Sequence, residues 1–322
     1  MHALSDVTIL VPGPLHERAL QRIGESFTLR KVDQAAVDCL SPELAGEIRG
    51  VAGTGAIGAA FIDALPHLEI IASFGVGWDG IDVSHAGAAG VIVTNTPDVA
   101  TEEVADTAVG LLLNTVREFP RAEAWLRAGR WQRDGPYPLT ATTLRGRRAG
   151  IFGMGRIGQA IARRLHAFGI PVAYHNRNPI SGSPSVWYPS LKALASAVDT
   201  LICAVPGGPS TERAVDADVL TALGADGILV NIGRGATIDE DALMAALARG
   251  TIRAAGLDVF ADEPHVPAAL LTLGNVSLLP HVGTASEHTR GLMADLVVDN
   301  LISWFSEGRP LTPVPDAAHP RA

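Results

Sequence analysis

The sequence predicts an α/β protein: a doubly wound parallel sheet with a second, smaller α/β unit. Three observations predict it. Short, nearly unbroken apolar runs (Thr200–Val205, Gly227–Asn231, Ala254–Val259 and Val276–Leu279) alternate with helical patterns, as parallel strands covered on both faces require. The stretch Gly153-Met-Gly155-Arg-Ile-Gly158 stands between an apolar run, Ala149–Phe152, and a segment whose Ile161, Leu165 and Phe168 share one helical face. A second strand-like run, Val172–His175, follows at once.

The elements follow in order. Val7–Val11 reads as a first strand, ended by Pro12-Gly-Pro14, and Leu68–Ser73 and Val91–Thr94 read as later strands of the same unit. A long helix starts near Thr101, a suitable cap. Glu102 and Glu103 suit its positive end, and Val104, Ala108, Leu111 and Leu112 form its apolar stripe. It is a candidate crossing between domains. Gly129–Pro138 reads as an extended loop. From the glycine turn onward six strands are expected. Asp239 caps a helix carrying Leu243 and Leu247, and Gly250 stops it. A final helix from Ser286 through Leu292, Leu296 and Trp304 to Gly308 is expected to return to the N-terminal unit. The expected division is 1–98 completed by 287–322, and 99–286.

Composition bounds the function. A chain of 322 residues is long enough for two cores. At 47% hydrophobic and 18% charged it reads as globular rather than disordered. A net charge of -9 with no Lys/Arg-rich block argues against a nucleic-acid surface. Cys39 and Cys203 fit no metal or redox pair. The N-terminus carries no basic segment followed by an apolar run, and no stretch is apolar enough to span a bilayer. A cytoplasmic location is the expectation.

The glycine pattern has a physical meaning in its context. The first glycine makes a tight turn, the second lets the backbone approach a pyrophosphate, and the third lets helix and strand pack closely. The helix N-terminus then offers N–H groups to the phosphates. The same spacing recurs at Gly53-Thr-Gly55-Ala-Ile-Gly58 and Gly75-Val-Gly77-Trp-Asp-Gly80. Neither is followed by a long amphipathic helix and a second strand, so both read as turns with respect to a pyrophosphate.

Three residues stand at predicted strand ends, where ligands bind in such sheets. Arg234 follows the strand ending at Asn231, Glu263 the one ending near Val259, and His281 the one ending at Leu279. A guanidinium grips a carboxylate through two parallel hydrogen bonds. An imidazole gives and takes a proton near neutral pH, and a neighbouring carboxylate favours its charged form. Singly, each has a bland reading as a loop residue; together they favour catalysis.

The ordered segments Gly153–Gly158, Asn231-Ile-Gly-Arg-Gly235, Asp258-Val-Phe-Ala-Asp-Glu-Pro264 and Leu279-Pro-His-Val-Gly-Thr-Ala-Ser286 resemble the signatures of the D-isomer-specific 2-hydroxyacid dehydrogenases, over nearly the whole chain. Ser73-Phe-Gly-Val-Gly-Trp-Asp79 resembles that family's substrate loop. The resemblance implies a Rossmann coenzyme domain, a flavodoxin-like substrate domain and a homodimer. It makes Arg234, Glu263 and His281 the catalytic set. Ser73, Val76, Gly77, Arg234 and His281 would bind substrate. Gly153, Gly155, Arg156, Ile157, Gly158, Asn176, Arg177, Val205, Pro206, Ile232, Arg234, Asp258, His281 and Gly283 would meet the coenzyme. No metal, nucleic acid or membrane is implied.

The end of the second fingerprint strand reads His175-Asn-Arg-Asn178, and no acid occurs between Gly158 and Asp199. An NAD site would place a carboxylate there for the ribose hydroxyls. Its absence, with Arg177 and Asn176 available to a 2′-phosphate, favours NADP(H), with NAD(H) as the alternative. Asn-Arg here and the Gly-Val-Gly loop look most like the glyoxylate/hydroxypyruvate reductases. Reductases of phenylpyruvate-type or 2-ketogluconate substrates are the runners-up, and a nicotinamide-sensing corepressor is the reading from another class. Trp78, Trp131 and Trp304 are candidate pocket or interface residues, with ordinary packing favoured for Trp304. Glu263 argues against formate dehydrogenation, where the related branch resembles a Gln-His arrangement.

Overall fold

The computed structural model describes residues 3–315. The chain divides into two compact units, Met1–Ala100 with Ala285–Ala322, and Thr101–Thr284.

The first unit carries β1 (Thr8–Pro12), α1 (Glu17–Ser26), β2 (Thr28–Val32), α2 (Pro42–Glu47), β3 (Ile48–Gly53), α3 (Ala59–Asp63), β4 (Ile70–Ser73), α4 (Val83–Ala88) and β5 (Ile92–Thr94). All strand pairs are parallel, in the order β2-β1-β3-β4-β5, which is the flavodoxin-like order. Both decoy glycine patterns lead only into short helices, α3 and α4.

The second unit begins with α5 (Thr101–Arg117), α6 (Phe119–Arg127) and α7 (Arg130–Asp134). It continues with β6 (Ala149–Phe152), α8 (Arg156–Ala167), β7 (Val172–His175), β8 (Val186–Trp187), α9 (Leu191–Ala197), β9 (Thr200–Cys203) and α10 (Ala217–Leu223). It ends with β10 (Ile228–Asn231), α11 (Glu240–Arg249), β11 (Ala254–Leu257), α12 (Ala268–Thr272) and β12 (Val276–Leu278). The sheet order is β12-β11-β10-β9-β6-β7-β8, all parallel. Strand order reverses between β6 and β9, the switch point at which such sheets bind ligands. Four of its strands, β6, β9, β10 and β11, are buried along their whole length, which explains their unbroken apolar runs.

Two expectations need correction. The sheet has seven strands, not six, because Val186–Trp187 adds a two-residue edge strand too short to show periodicity. The stretch expected as an extended loop from Gly129 contains α7. Gly129 takes φ +66° and restarts the helix, Arg130 pairs with Asp134 at 2.7 Å, and its guanidinium lies 3.6 Å from the Trp125 ring centre. Arg163 and Arg164 of α8 reach Glu102 and Asp106 of α5 at 2.6–2.8 Å.

The final helix, α13 (Glu287–Glu307), starts at the Ser286 cap, whose side chain accepts from the Thr289 N–H, and stops at Gly308 with φ +68°. Its Ala294, Val297, Val298 and Leu301 pack with Ile9, Val11, Ile70 and Ala72 of the first sheet. Arg18 and Arg22 of α1 fasten it at Asp295 and Asp299, at 2.7–3.0 Å. Trp304 is part of this packing, with its indole N–H 3.3 Å from Glu69.

Candidate active site

The glycine turn stands at the switch point of the second sheet. Gly153 has φ +100°, and a Cβ there would lie 2.7–2.8 Å from Val205 Cγ1 and the Ala204 carbonyl. Only glycine fits beside the end of β9. A Cβ at Gly158 would lie 2.2 Å from the Gly153 carbonyl oxygen, so helix and turn are in direct contact there. Gly155 is the opposite case: it is exposed and a Cβ would meet nothing within 4 Å. As the cap of α8 it brings no side chain to the first-turn amides. An uncapped, open helix N-terminus bordered by Arg156 and Ile157 fits the pyrophosphate of a dinucleotide. Val205 and Pro206 follow β9 and Ile232 follows β10, at the same carboxyl edge of the sheet.

Asn176 does a second job. Its side-chain oxygen accepts the Met154 N–H at 2.7 Å, tying the end of β7 to the glycine turn. Its backbone carbonyl accepts from the Trp187 indole at 3.1 Å, and Arg177 beside it is exposed. With the side-chain oxygen engaged by the Met154 N–H, the amide N–H groups are what Asn176 can offer as donors.

Arg234, Glu263 and His281 follow β10, β11 and β12, neighbours in one sheet. The His281 ring Nδ1 lies 2.7 Å from Glu263 Oε2, and Glu263 Oε1 accepts the Phe260 N–H at 2.9 Å. The carboxylate is thus anchored on one side and orients the imidazole on the other, and Nε2 is the ring nitrogen that Glu263 does not engage. About half of the His281 side chain is exposed. Its backbone has φ +52°, a strained conformation for a non-glycine residue. Asp258, almost fully buried at the end of β11, enforces it. Its carbonyl accepts the His281 N–H at 2.8 Å, and its carboxylate accepts the Val282 and Gly283 N–H groups at 2.8 and 2.9 Å. Burial pushes the Asp258 carboxyl above its ordinary range, opposed by those two N–H donors. Arg234 is half-buried. Asn231 shapes its turn by accepting the Gly233 N–H at 3.0 Å and donating to the Arg234 carbonyl at 2.9 Å. The Arg234 guanidinium also donates to the Gly233 carbonyl at 2.8 Å. Among the described residues no three His, Cys, Asp or Glu side chains group to hold a metal.

In the first unit, Ser73 ends β4 and Val76 and Gly77 lie in the loop that follows it. Sequence reasoning missed Asn95, just past β5, whose side-chain amide donates to the Val76 carbonyl at 2.7 Å. The signal was a polar triplet, Thr94-Asn-Thr96, buried where an apolar strand ends.

The family model of the D-isomer specific 2-hydroxyacid dehydrogenase NAD binding domain matches residues 109–283. The chain belongs to the D-isomer-specific 2-hydroxyacid dehydrogenases. Its fold matches that of an NADPH-dependent glyoxylate/hydroxypyruvate reductase from Sinorhizobium meliloti, solved with NADP and malonate. The TM-score is 0.97 at 55% identity over 99% of both chains. A hydroxyphenylpyruvate reductase of Plectranthus scutellarioides is 44% identical over 96% of this dehydrogenase and 99% of the relative. A glyoxylate/hydroxypyruvate reductase A of Arabidopsis thaliana is 47% identical over 83% and 85% respectively.

Proposed function

We propose that this dehydrogenase uses NADPH to reduce a small 2-oxo acid, glyoxylate or hydroxypyruvate, to the D-2-hydroxy acid. The observation that carries the reading is the set of Arg234, Glu263 and His281 on adjacent strand ends of the sheet that bears the glycine turn, with the imidazole already paired to its carboxylate. The S. meliloti reductase, 55% identical, supports the coenzyme and substrate class.

A bound NADPH would supply the hydride that reduces C2 of the 2-oxo acid. His281, protonated, donates from Nε2 to the carbonyl oxygen as it becomes an alkoxide. Glu263 accepts the Nδ1–H, which fixes the ring and directs the proton to be transferred to Nε2. Arg234 binds the carboxylate and polarises the carbonyl. The Val76 and Gly77 amides, beside Ser73, serve the substrate carboxylate. Gly153, Gly155, Arg156, Ile157 and Gly158 would hold the pyrophosphate, and Asn176 and Arg177 the 2′-phosphate. Val205, Pro206, Ile232, Asp258 and Gly283 border the coenzyme at the strand ends.

The test is NADPH oxidation across glyoxylate, hydroxypyruvate, phenylpyruvate and 2-ketogluconate, with NADH in parallel. The two small acids are expected to give the higher kcat/KM. A preference for phenylpyruvate would move the reading toward the P. scutellarioides relative, and binding without turnover would favour a coenzyme-sensing protein. His281→Ala is expected to lower kcat by about 10²–10⁴-fold while NADPH still binds; turnover within a few-fold of wild type would remove its role.

The same reading includes a cytoplasmic homodimer. Phe119, Leu126, Trp131 and Leu139 are large apolar side chains exposed within residues 119–139, which supports an interaction surface there. Light scattering should give twice the chain mass. Both cysteines are free thiols, as a reducing compartment allows. No helix of the described residues is long and apolar enough to cross a membrane.

A further inference from the structure

The loop after β4 is held from behind by one segment of chain. The Thr96 N–H donates to the Gly75 carbonyl at 2.8 Å, and the Asn95 side-chain amide donates to the Val76 carbonyl at 2.7 Å. In a trans peptide unit the C=O and the following N–H point in opposite directions. Fixing the Gly75 and Val76 carbonyls toward residues 95–96 therefore turns the Val76 and Gly77 N–H groups to the other side. Two successive amides facing one way form a concavity that suits an anion. Each donated hydrogen bond also polarises its peptide unit and strengthens the N–H at the far end.

Asn95 is itself locked. Its backbone N–H donates to the Thr312 carbonyl at 3.2 Å, and its carbonyl accepts from Thr312 Oγ1 at 2.6 Å. Thr312 in turn accepts from Asn300 Nδ2 at 2.9 Å. Asn300, fully buried in α13, uses its remaining capacity on the Leu296 carbonyl (2.8 Å) and the Leu311 and Thr312 N–H groups (both 3.0 Å). The buried amide at position 95 is engaged by the loop carbonyl.

We propose that Asn95 is a positioning residue that aims the Val76 and Gly77 amides at the substrate carboxylate and is held to that task by Thr312 and Asn300. The proposal rests on the functional reading above, in which those amides bind the carboxylate.

Asn95→Asp keeps the shape but sets a carboxylate oxygen against the Val76 carbonyl. Because the carboxylate contact is made in both the ground and transition states, its loss raises KM and leaves kcat in place. The expected result is KM for hydroxypyruvate, and the inhibition constant of oxamate, both raised by roughly ten- to hundredfold. Turnover number should stay within about threefold and NADPH affinity within about twofold. Lowering the pH into the carboxyl range restores a donor at position 95, so the ratio of variant to wild-type KM shrinks. Asn95→Ser, too short to reach Val76, gives the same KM split should the aspartate variant not fold. Ser303→Ala is the control, since it removes a buried 2.7 Å bond to the Arg309 carbonyl in the same unit without touching the loop. The positioning role is overturned if both Asn95 variants keep wild-type KM and oxamate binding, or if Ser303→Ala raises them equally. If wild type itself neither turns over hydroxypyruvate nor binds oxamate, the functional reading fails, and the proposal with it.

Discussion

Two glycines of one turn should respond in opposite ways to the same added methyl group. At Gly158 a Cβ would sit 2.2 Å from the Gly153 carbonyl oxygen and 3.2 Å from Ile151 Cγ2. Relief to an ordinary contact of about 3.4 Å demands a shift of about 1.2 Å. Gly153 cannot retreat freely, because its own Cα faces Ala204 and Val205. Overpacking of this kind costs about 3 kcal/mol, offset by about 1 kcal/mol of helix propensity gained. The net loss of about 2 kcal/mol lowers Tm by about 4–8 °C in a unit of this size. At Gly155 the backbone has φ −78° and ψ −159°, open to any residue, and a Cβ meets nothing within 4 Å. Gly155→Ala should leave Tm unchanged or slightly raised, because the unfolded chain loses freedom. In the proposed reading its methyl enters the open space assigned to the pyrophosphate, so Kd for NADPH should rise at least tenfold, about 1.4 kcal/mol. Thermal melts and titration of nucleotide fluorescence on both variants suffice. Wild-type NADPH affinity in Gly155→Ala, or a Tm loss there equal to that of Gly158→Ala, would refute the assignment of the turn.

Three further outcomes follow from other parts of the second unit. Arg177→Ala should lower kcat/KM for NADPH at least tenfold and leave NADH unchanged, and Asn176→Asp, which keeps an acceptor for the Met154 N–H but adds a charge, should shift preference the same way; an unchanged coenzyme ratio in both would remove the 2′-phosphate site. Burial pushes the Cys203 thiol up to about 12, and its side chain is inaccessible. A thiol reagent at pH 8 should therefore modify only half-buried Cys39 in the native protein and both cysteines in guanidinium; native labelling of two thiols would contradict the packing at β9. Arg147 is almost fully buried and donates to Thr200 Oγ1 and the Asp226 carbonyl, both at 2.8 Å. Arg147→Met strands those acceptors and should cost about 3 kcal/mol, read as a lowered denaturation midpoint without loss of NADPH binding in the folded fraction; an unchanged midpoint would show the network to be idle.

The elements were legible where burial is one-dimensional. β9, β10 and β11 are covered on both faces, so their apolar runs report them directly, and Asp239 and Gly250 bracket α11 because a cap is a local hydrogen bond. β8 and α7 were not legible. A two-residue strand has no period, and α7 depends on Arg130 stacking over Trp125 of the preceding helix. The candidate catalytic residues could be named because strand ends in a parallel sheet share one edge, so sequence position implied spatial neighbourhood.

What the sequence determined by itself was everything that hangs on residue type and spacing. The turn needs residues without a Cβ at Gly153 and Gly158, the parallel, doubly wound class of the sheet follows from alternation, and the missing acid after β7 is the sequence basis of the proposed NADP(H) preference. Tertiary structure alone decided which polar groups meet across the chain. Asp258 clamps the His281 turn from 23 residues away in sequence, Asn176 spends its oxygen on Met154, and Asn300 reaches the Val76 loop through Thr312 and Asn95. Hydrophobic periodicity records only whether a position is buried. The partner of a buried polar group is fixed by packing, so it becomes visible only when the strands and helices are in place.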